Sequence, residues 1–164
     1  MKKCLLTDEE IHEVIESAKA KVEKVHSDLV LEVTRSERYL YINAYLDGER
    51  IGKLGVDFEV EYSRFANYCV GDKLAKIVYV FTNESYGYCG VATKMLRKVV
   101  EELKGYNLYL DVIPTIRKHG LSKYQTVKGA TQGLVEFYGK FGFRKVKESC
   151  ATTMFRKSNS PLPY

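Results

Sequence analysis

The feature that most limits how this chain can fold is a change of period near its middle. The run "AKIVYVF", Ala75 to Phe81, is apolar on successive residues and rich in β-branched side chains, as a strand covered on both faces requires. From Gly90 onward the apolar residues recur at helical spacing instead. Val91, Met95, Val99 and Leu103 form one stripe with Leu96 and Val100 beside it, and Gly105 stands where such a helix would end. Gly87 and Gly90 lie at the junction, with no acidic residue between them. A central strand, a glycine turn and an amphipathic helix therefore have to be accommodated together, which sets the fold class as α/β (α+β).

The flanking segments agree with that reading. Thr7 and Glu10 fit a capping box, and Ile11, Val14, Ile15, Ala18, Val22 and Val25 continue as the apolar stripe of a first helix. "DLVLEVTR" and "RYLYINAYL" alternate as strands, and Asp47-Gly48 predicts a hairpin into "ERIGKLGVDFEVEY". "YNLYLDVIP" reads as a second buried strand closed by Pro114, and "TQGLVEFYGKFGF" as a short helix ended by Gly142. "RKVKES" and "ATTMFRK" form a closing antiparallel pair, with "SNSPLPY" expected to fray. There is no repeat and no linker, so residues 1–164 are expected to make one domain, with 158–164 as a flexible tail.

Composition narrows the partners. At 164 residues the chain is long enough to bury a core of its own. No stretch approaches the ~18 apolar residues of a membrane span, and charged "TDEE" interrupts the basic start before any secretory core, so a cytoplasmic location is the expectation. The four cysteines, Cys4, Cys69, Cys89 and Cys150, lack metal-binding spacing, which predicts free thiols and no metal. A net charge of +5 suits anionic ligands, but the basic residues are dispersed and give little support to nucleic acid as a partner.

The turn itself has the chemistry of a phosphate cradle. Amides at a helix start have no partner within the helix, the macrodipole places partial positive charge there, and glycine admits an anion close to the backbone. "GYCGVA", Gly87 to Ala92, lacks both the Lys-Ser/Thr ending of a Walker loop and the three-glycine spacing of a dinucleotide fold. It resembles the diphosphate loop Arg/Gln-x-x-Gly-x-Gly/Ala of the GCN5-related N-acetyltransferase (GNAT) family, matching at Gly90 and Ala92 and departing at the first position, where Gly87 stands in place of a basic or amide side chain. A second block, "GLVEFYGKFGF", is similar to the family's C-terminal signature through Tyr138, Gly142 and Phe143, and one strand lies between the two blocks as in the family.

The resemblance implies a mixed, mostly antiparallel sheet flanked by helices, in which the strands ending near Phe81 and Ile113 splay apart around acetyl-CoA as co-substrate. The pantetheine arm would pair with Phe81, Thr82 and Asn83. The diphosphate would rest on Gly87, Tyr88, Cys89, Gly90, Val91, Ala92 and Thr93, with charge from Lys94 and Arg97 if they face it. The implied reaction is acetyl transfer to a primary amine, with Tyr138 as proton donor to the sulfur. For the general base the candidates are Glu84, just after the central strand, and His119, in the loop beyond Pro114. Each residue also has an ordinary reading: Tyr138 as part of an aromatic cluster, Glu84 as a solvated carboxylate, His119 as a surface residue. Cys89 lacks a partner His and is not expected to act as a nucleophile. The competing function is a regulator or inhibitor that keeps the fold and the cofactor without turnover, which Gly87 would favour.

Overall fold

The computed structural model describes residues 5–60, 65, 73–113, 127–146 and 152–162. The capping box forms as the sequence dictates: Glu10 N–H donates to Thr7 Oγ1 at 3.2 Å, and Thr7 N–H donates to Glu10 Oε2 at 2.7 Å. It opens helix α1, Asp8–Asp28. The apolar stripe of α1 is not covered as its spacing predicts. Only Val25 is buried, while Ile11, Val14, Ile15 and Val22 are exposed. The helix is held by its later turns, through an ion pair between Lys24 and Asp47 and through Lys94 Nζ, which donates to the Val25 and His26 carbonyls at 3.2 and 2.8 Å.

Among the described residues seven strands follow: β1 (Val30–Arg35), β2 (Tyr39–Leu46), β3 (Glu49–Asp57), β4 (Lys73–Thr82), β5 (Tyr106–Asp111), β6 (Arg144–Lys145) and β7 (Thr153–Arg156). They form one sheet in the order β1-β2-β3-β4-β5-β7-β6. β4 and β5 run parallel and every other neighbouring pair antiparallel. Asp47 and Gly48 turn the β2–β3 hairpin with φ of 51° and 79°, the two positive values of a type I′ turn. Helix α2 (Val91–Glu102) connects β4 to β5, and helix α3 (Val127–Gly139) follows β5. Its start lies earlier than the apolar pattern suggests, and its end comes at Gly139, after which Gly142 takes φ +92° in the turn to Phe143.

The core gathers where α2 lies on the sheet. Val91, Met95, Leu96 and Val99 pack with Leu40, Ile42, Leu54, Leu108 and Leu110 in one buried cluster, each such side chain stabilising the fold by roughly 1.5–3 kcal/mol. Phe141, Phe143 and Met154 extend the same cluster toward α3. Successive strand residues point to opposite faces. Accordingly Leu74, Tyr109 and Phe155 form a second cluster around Phe65 on the other side.

One local requirement is strict. A Cβ at Gly52 would sit 2.9 Å from Val91 Cγ1 and 3.1 Å from Met95 Cε, so the start of α2 can rest on β3 only because that side chain is missing. Gly52→Ala should cost roughly 1–3 kcal/mol through overpacking, read as a lower urea midpoint at unchanged slope.

β4 departs from its sequence reading. Leu74, Ala75 and Ile77 are buried, but Val78, Tyr79 and Phe81 are exposed. The cause is in the pairing. β4 and β5 are joined only from Lys73↔Tyr106 to Lys76↔Tyr109, whereas β3 stays with β4 to Gly52↔Thr82. Leu110 and Asp111 keep a partner only on the other edge of β5, where Met154 and Thr153 of β7 pair with them. The β3–β4 register also slips between Gly55 and Val56, leaving Val78 as the extra residue of a bulge. The two parallel strands therefore diverge toward their carboxyl ends and open a cleft.

The end of the chain also differs from expectation. Ser158 N–H donates to Asn107 Oδ1 at 2.9 Å, Arg156 donates to the Ser160 carbonyl, and Leu162 packs against the core, so residues 158–162 are tethered.

Candidate functional site

Directly after β4 the chain makes a short 3-10 turn, Glu84–Tyr86, capped by Asn83, whose Oδ1 accepts from Ser85 N–H at 2.9 Å. Gly87 N–H is used inside this turn, donating to the Glu84 carbonyl at 3.2 Å. Tyr88 then takes φ 60° and Gly90 φ 89°, so the chain swings outward before α2 begins. Gly90 is the N-cap and supplies no side-chain acceptor. Lys94 N–H is the first of this helix to find an internal partner, the Gly90 carbonyl at 3.0 Å. The amides of Val91, Ala92 and Thr93 have no acceptor among the described residues. No acidic side chain lies in the first turn, and a Cβ at Gly90 would meet nothing within 4 Å. Three oriented N–H groups at the positive end of a helix, with open space before them, are suited to a polyanion.

A groove of about 440 Å³ runs beside this turn, between it and α1, lined by Glu13, Val14, Lys21, Gly87 and Cys89 among others. Lys21 Nζ donates to the Ser85 carbonyl at 3.0 Å, which fixes α1 to the 3-10 turn and places a cation in the groove wall. The sequence carries a faint signal for it: Lys21 lies one turn before buried Val25, on the side of α1 that meets the rest of the fold.

The other expected residues divide. Phe81 is exposed at the splayed end of β4, with Thr82 beside it. Asn83 N–H is committed to the Ile51 carbonyl at 2.7 Å and its own carbonyl to Tyr86 N–H at 2.9 Å, so its backbone is not available to a ligand strand. Because backbone groups alternate in direction along a strand, Thr82 is the residue that turns its N–H and carbonyl toward the cleft. Lys94, expected to face the diphosphate, reaches back to the α1 carbonyls instead. Those carbonyls are orphaned at a helix end, and the Lys94 ammonium satisfies them. Cys89 Sγ lies 3.5 Å from the Gly87 carbonyl, half-buried in the turn. Glu84 is exposed at the start of the 3-10 turn. His119 lies outside the described residues.

Tyr138 projects from the last turn of α3 against Phe137 and Phe143, ring centroids 5.4 and 6.0 Å away. Burial pushes its phenol up to about 12, so it stays protonated throughout the neutral range. Its hydroxyl has no hydrogen-bond partner among the described residues, although the ring is packed against the core. Asp111, by contrast, is consumed structurally, bound by Lys76 Nζ at 3.1 Å and by Thr153 Oγ1 at 2.6 Å.

Among the described residues no helix is long and apolar enough to cross a membrane. No protein-family model matches the chain, and no curated protein matches it by sequence. Solved structures do. An acetyltransferase from Thermus thermophilus is similar with a TM-score of 0.51 at 16% identity, over 94% of this chain and 77% of that one. A bacterial toxin is similar with a TM-score of 0.51 at 18% identity, over 72% of this chain and 66% of that one. At these identities the likeness speaks to architecture. In its strand order, its single parallel pair splayed at the carboxyl end, and the glycine turn that follows, this chain has the fold of the GCN5-related N-acetyltransferase family.

Proposed function

We propose that this protein is an acetyl-CoA-dependent N-acetyltransferase acting on a primary amine. The observation that carries the reading is the coincidence of three unpaired amides at the start of α2 with the divergence of β4 from β5. The amides of Val91, Ala92 and Thr93 receive the diphosphate, and the outward backbone of Thr82 receives the pantetheine amides as an added strand would. Lys21, from α1, supplies the cation that Gly87 does not provide at the first motif position.

Attack by a neutral amine on a thioester carbonyl needs the two held in contact and a proton for the departing sulfur. Tyr138 is the donor, its hydroxyl having no competing partner among the described residues. A phenol at about 12 is a reluctant acid but a permanent donor, so its part is to hydrogen-bond the developing thiolate and yield the proton late. Glu84, exposed beside the cleft, takes the amine proton directly or through water, and His119 is the other candidate for that role. The place of action proposed is the cytoplasm.

A second reading is favoured by the missing side chain at Gly87 and by the raised phenol of Tyr138: a protein that binds the cofactor and regulates a partner without turnover. Incubation with acetyl-CoA and a panel of amines, peptides and lysine-bearing proteins decides between them. Release of free CoA thiol supports the enzyme. Cofactor binding by calorimetry with no thiol release from any acceptor supports the regulator and removes the enzyme.

A further inference from the structure

At the opposite end of the β4/β5 pair lies a second cavity of about 440 Å³, whose wall carries four cationic side chains, Lys140, Arg144, Lys145 and Lys157. Its place follows from the register. β7 runs antiparallel to β5 with Arg156 opposite Leu108, and Ser158 is bonded to Asn107, so the cavity sits by the beginning of β5. The glycine turn follows the end of β4, at the other pole of the sheet.

The wall is built and held in place. Arg156, only 3% exposed, donates through Nε to the Phe141 carbonyl at 2.7 Å, through Nη1 to the Lys157 carbonyl at 3.2 Å, and through Nη2 to the Ser160 carbonyl. That one guanidinium ties the turn after α3 to the segment after β7. Arg144 Nη1 donates to the Gly139 and Phe143 carbonyls at 3.0 and 2.9 Å, while its Nε and Nη2 have no acceptor among the described residues. Lys140, Lys145 and Lys157 form no ion pair among the described residues. Val146, Phe155, Pro161 and Leu162 complete the lining with apolar surface.

Lys140, Arg144, Lys145 and Lys157 are all exposed, so water and salt screen their mutual repulsion, and an anion seated among them would lower it further. A carboxylate would offset one of them. A phosphate monoester brings a charge of roughly −1.5 to −2 and three acceptor oxygens, and the volume and mixed lining are those of a small-molecule site. We infer that this cavity binds a small organic phosphate monoester, with the phosphate among Arg144, Lys145 and Lys157 and an apolar body against Phe155 and Leu162.

The test is calorimetric titration of the full chain at fixed ionic strength with phenyl phosphate, inorganic phosphate and phenol. Phenyl phosphate should saturate at one per chain and bind at least tenfold tighter than inorganic phosphate, and phenol should not bind. The double variant Lys145→Gln/Lys157→Gln should weaken phenyl phosphate at least tenfold at an unchanged melting temperature. Lys19→Gln/Lys104→Gln, which removes the same charge elsewhere, should change it less than twofold, and Gly90→Asp should leave it unaltered. Absence of binding to the native chain, equal losses in the two lysine pairs, or loss in the Gly90 variant would overturn the inference. Equal affinity for the two phosphates would overturn the apolar half of it.

Discussion

Tyr138→Phe should lower turnover with acetyl-CoA by about 10²-fold while leaving cofactor affinity within about twofold. The substitution removes one hydroxyl and keeps the ring that packs on Phe137 and Phe143, so the fold has no reason to change. A loss of 10² corresponds to about 2.7 kcal/mol of transition-state stabilisation, a reasonable figure for one hydrogen bond to a sulfur that gains negative charge in a partly desolvated site. The ordinary reading, a core tyrosine, predicts a different result, namely a small stability change and no specific effect on rate. The pH profile adds a second check. The raised phenol keeps its proton up to about 12, so the rate should climb as the acceptor amine loses its proton and should not fall below pH ~10 through Tyr138 ionisation. An alkaline fall near neutrality that disappears in the Phe variant would contradict the assignment.

Gly90→Asp should reduce CoA affinity by about 10²-fold with the melting temperature little altered. The φ of 89° disfavours side chains, yet Asp is among the residues that tolerate the left-handed region. A carboxylate at the N-cap also satisfies the free amides of α2, a gain of about 0.5–2 kcal/mol that offsets the backbone strain of roughly 1–2 kcal/mol. The same carboxylate then occupies the donors a diphosphate needs and repels its charge. Gly90→Ala separates the two effects, since it has the strain without the charge. Its affinity should fall clearly less than that of the Asp variant, as measured by calorimetry on both proteins beside thermal melts. Equal losses in Ala and Asp would mean that backbone shape, not charge at the helix start, governs binding.

Much of the local structure was legible because its causes are local. The Thr7/Glu10 box, the Asp47-Gly48 turn and the α2 stripe each depend on residues a few positions apart, and each forms as read. The misreadings all involve distant partners. β4 looks doubly covered from its composition, but its exposure is decided by where its pairing with β5, some thirty residues later in sequence, comes to an end. Lys94 sits where a phosphate ligand belongs by motif position, yet its amine meets the end of α1, a helix that has no sequence neighbourhood with it. Lys21 left only a faint signal for the same reason in reverse, its partner Ser85 being distant in sequence. The tail after β7 reads as frayed from its Ser and Pro content, while one buried arginine holds it down. The exposed stripe of α1 shows that periodicity predicts a helix and its apolar side but not that anything covers that side.

Under the proposed function the unpaired amides opening α2 bind the diphosphate of CoA, and amide chemical shifts report on that contact. In a titration of the isotope-labelled chain with CoA, the Val91, Ala92 and Thr93 resonances should move downfield and saturate together, as hydrogen bonds to phosphate form, while the Asn83 amide, already bonded to Ile51, moves little. Saturable CoA binding that leaves those three resonances in place, or no binding at millimolar CoA by a folded chain, would contradict the account.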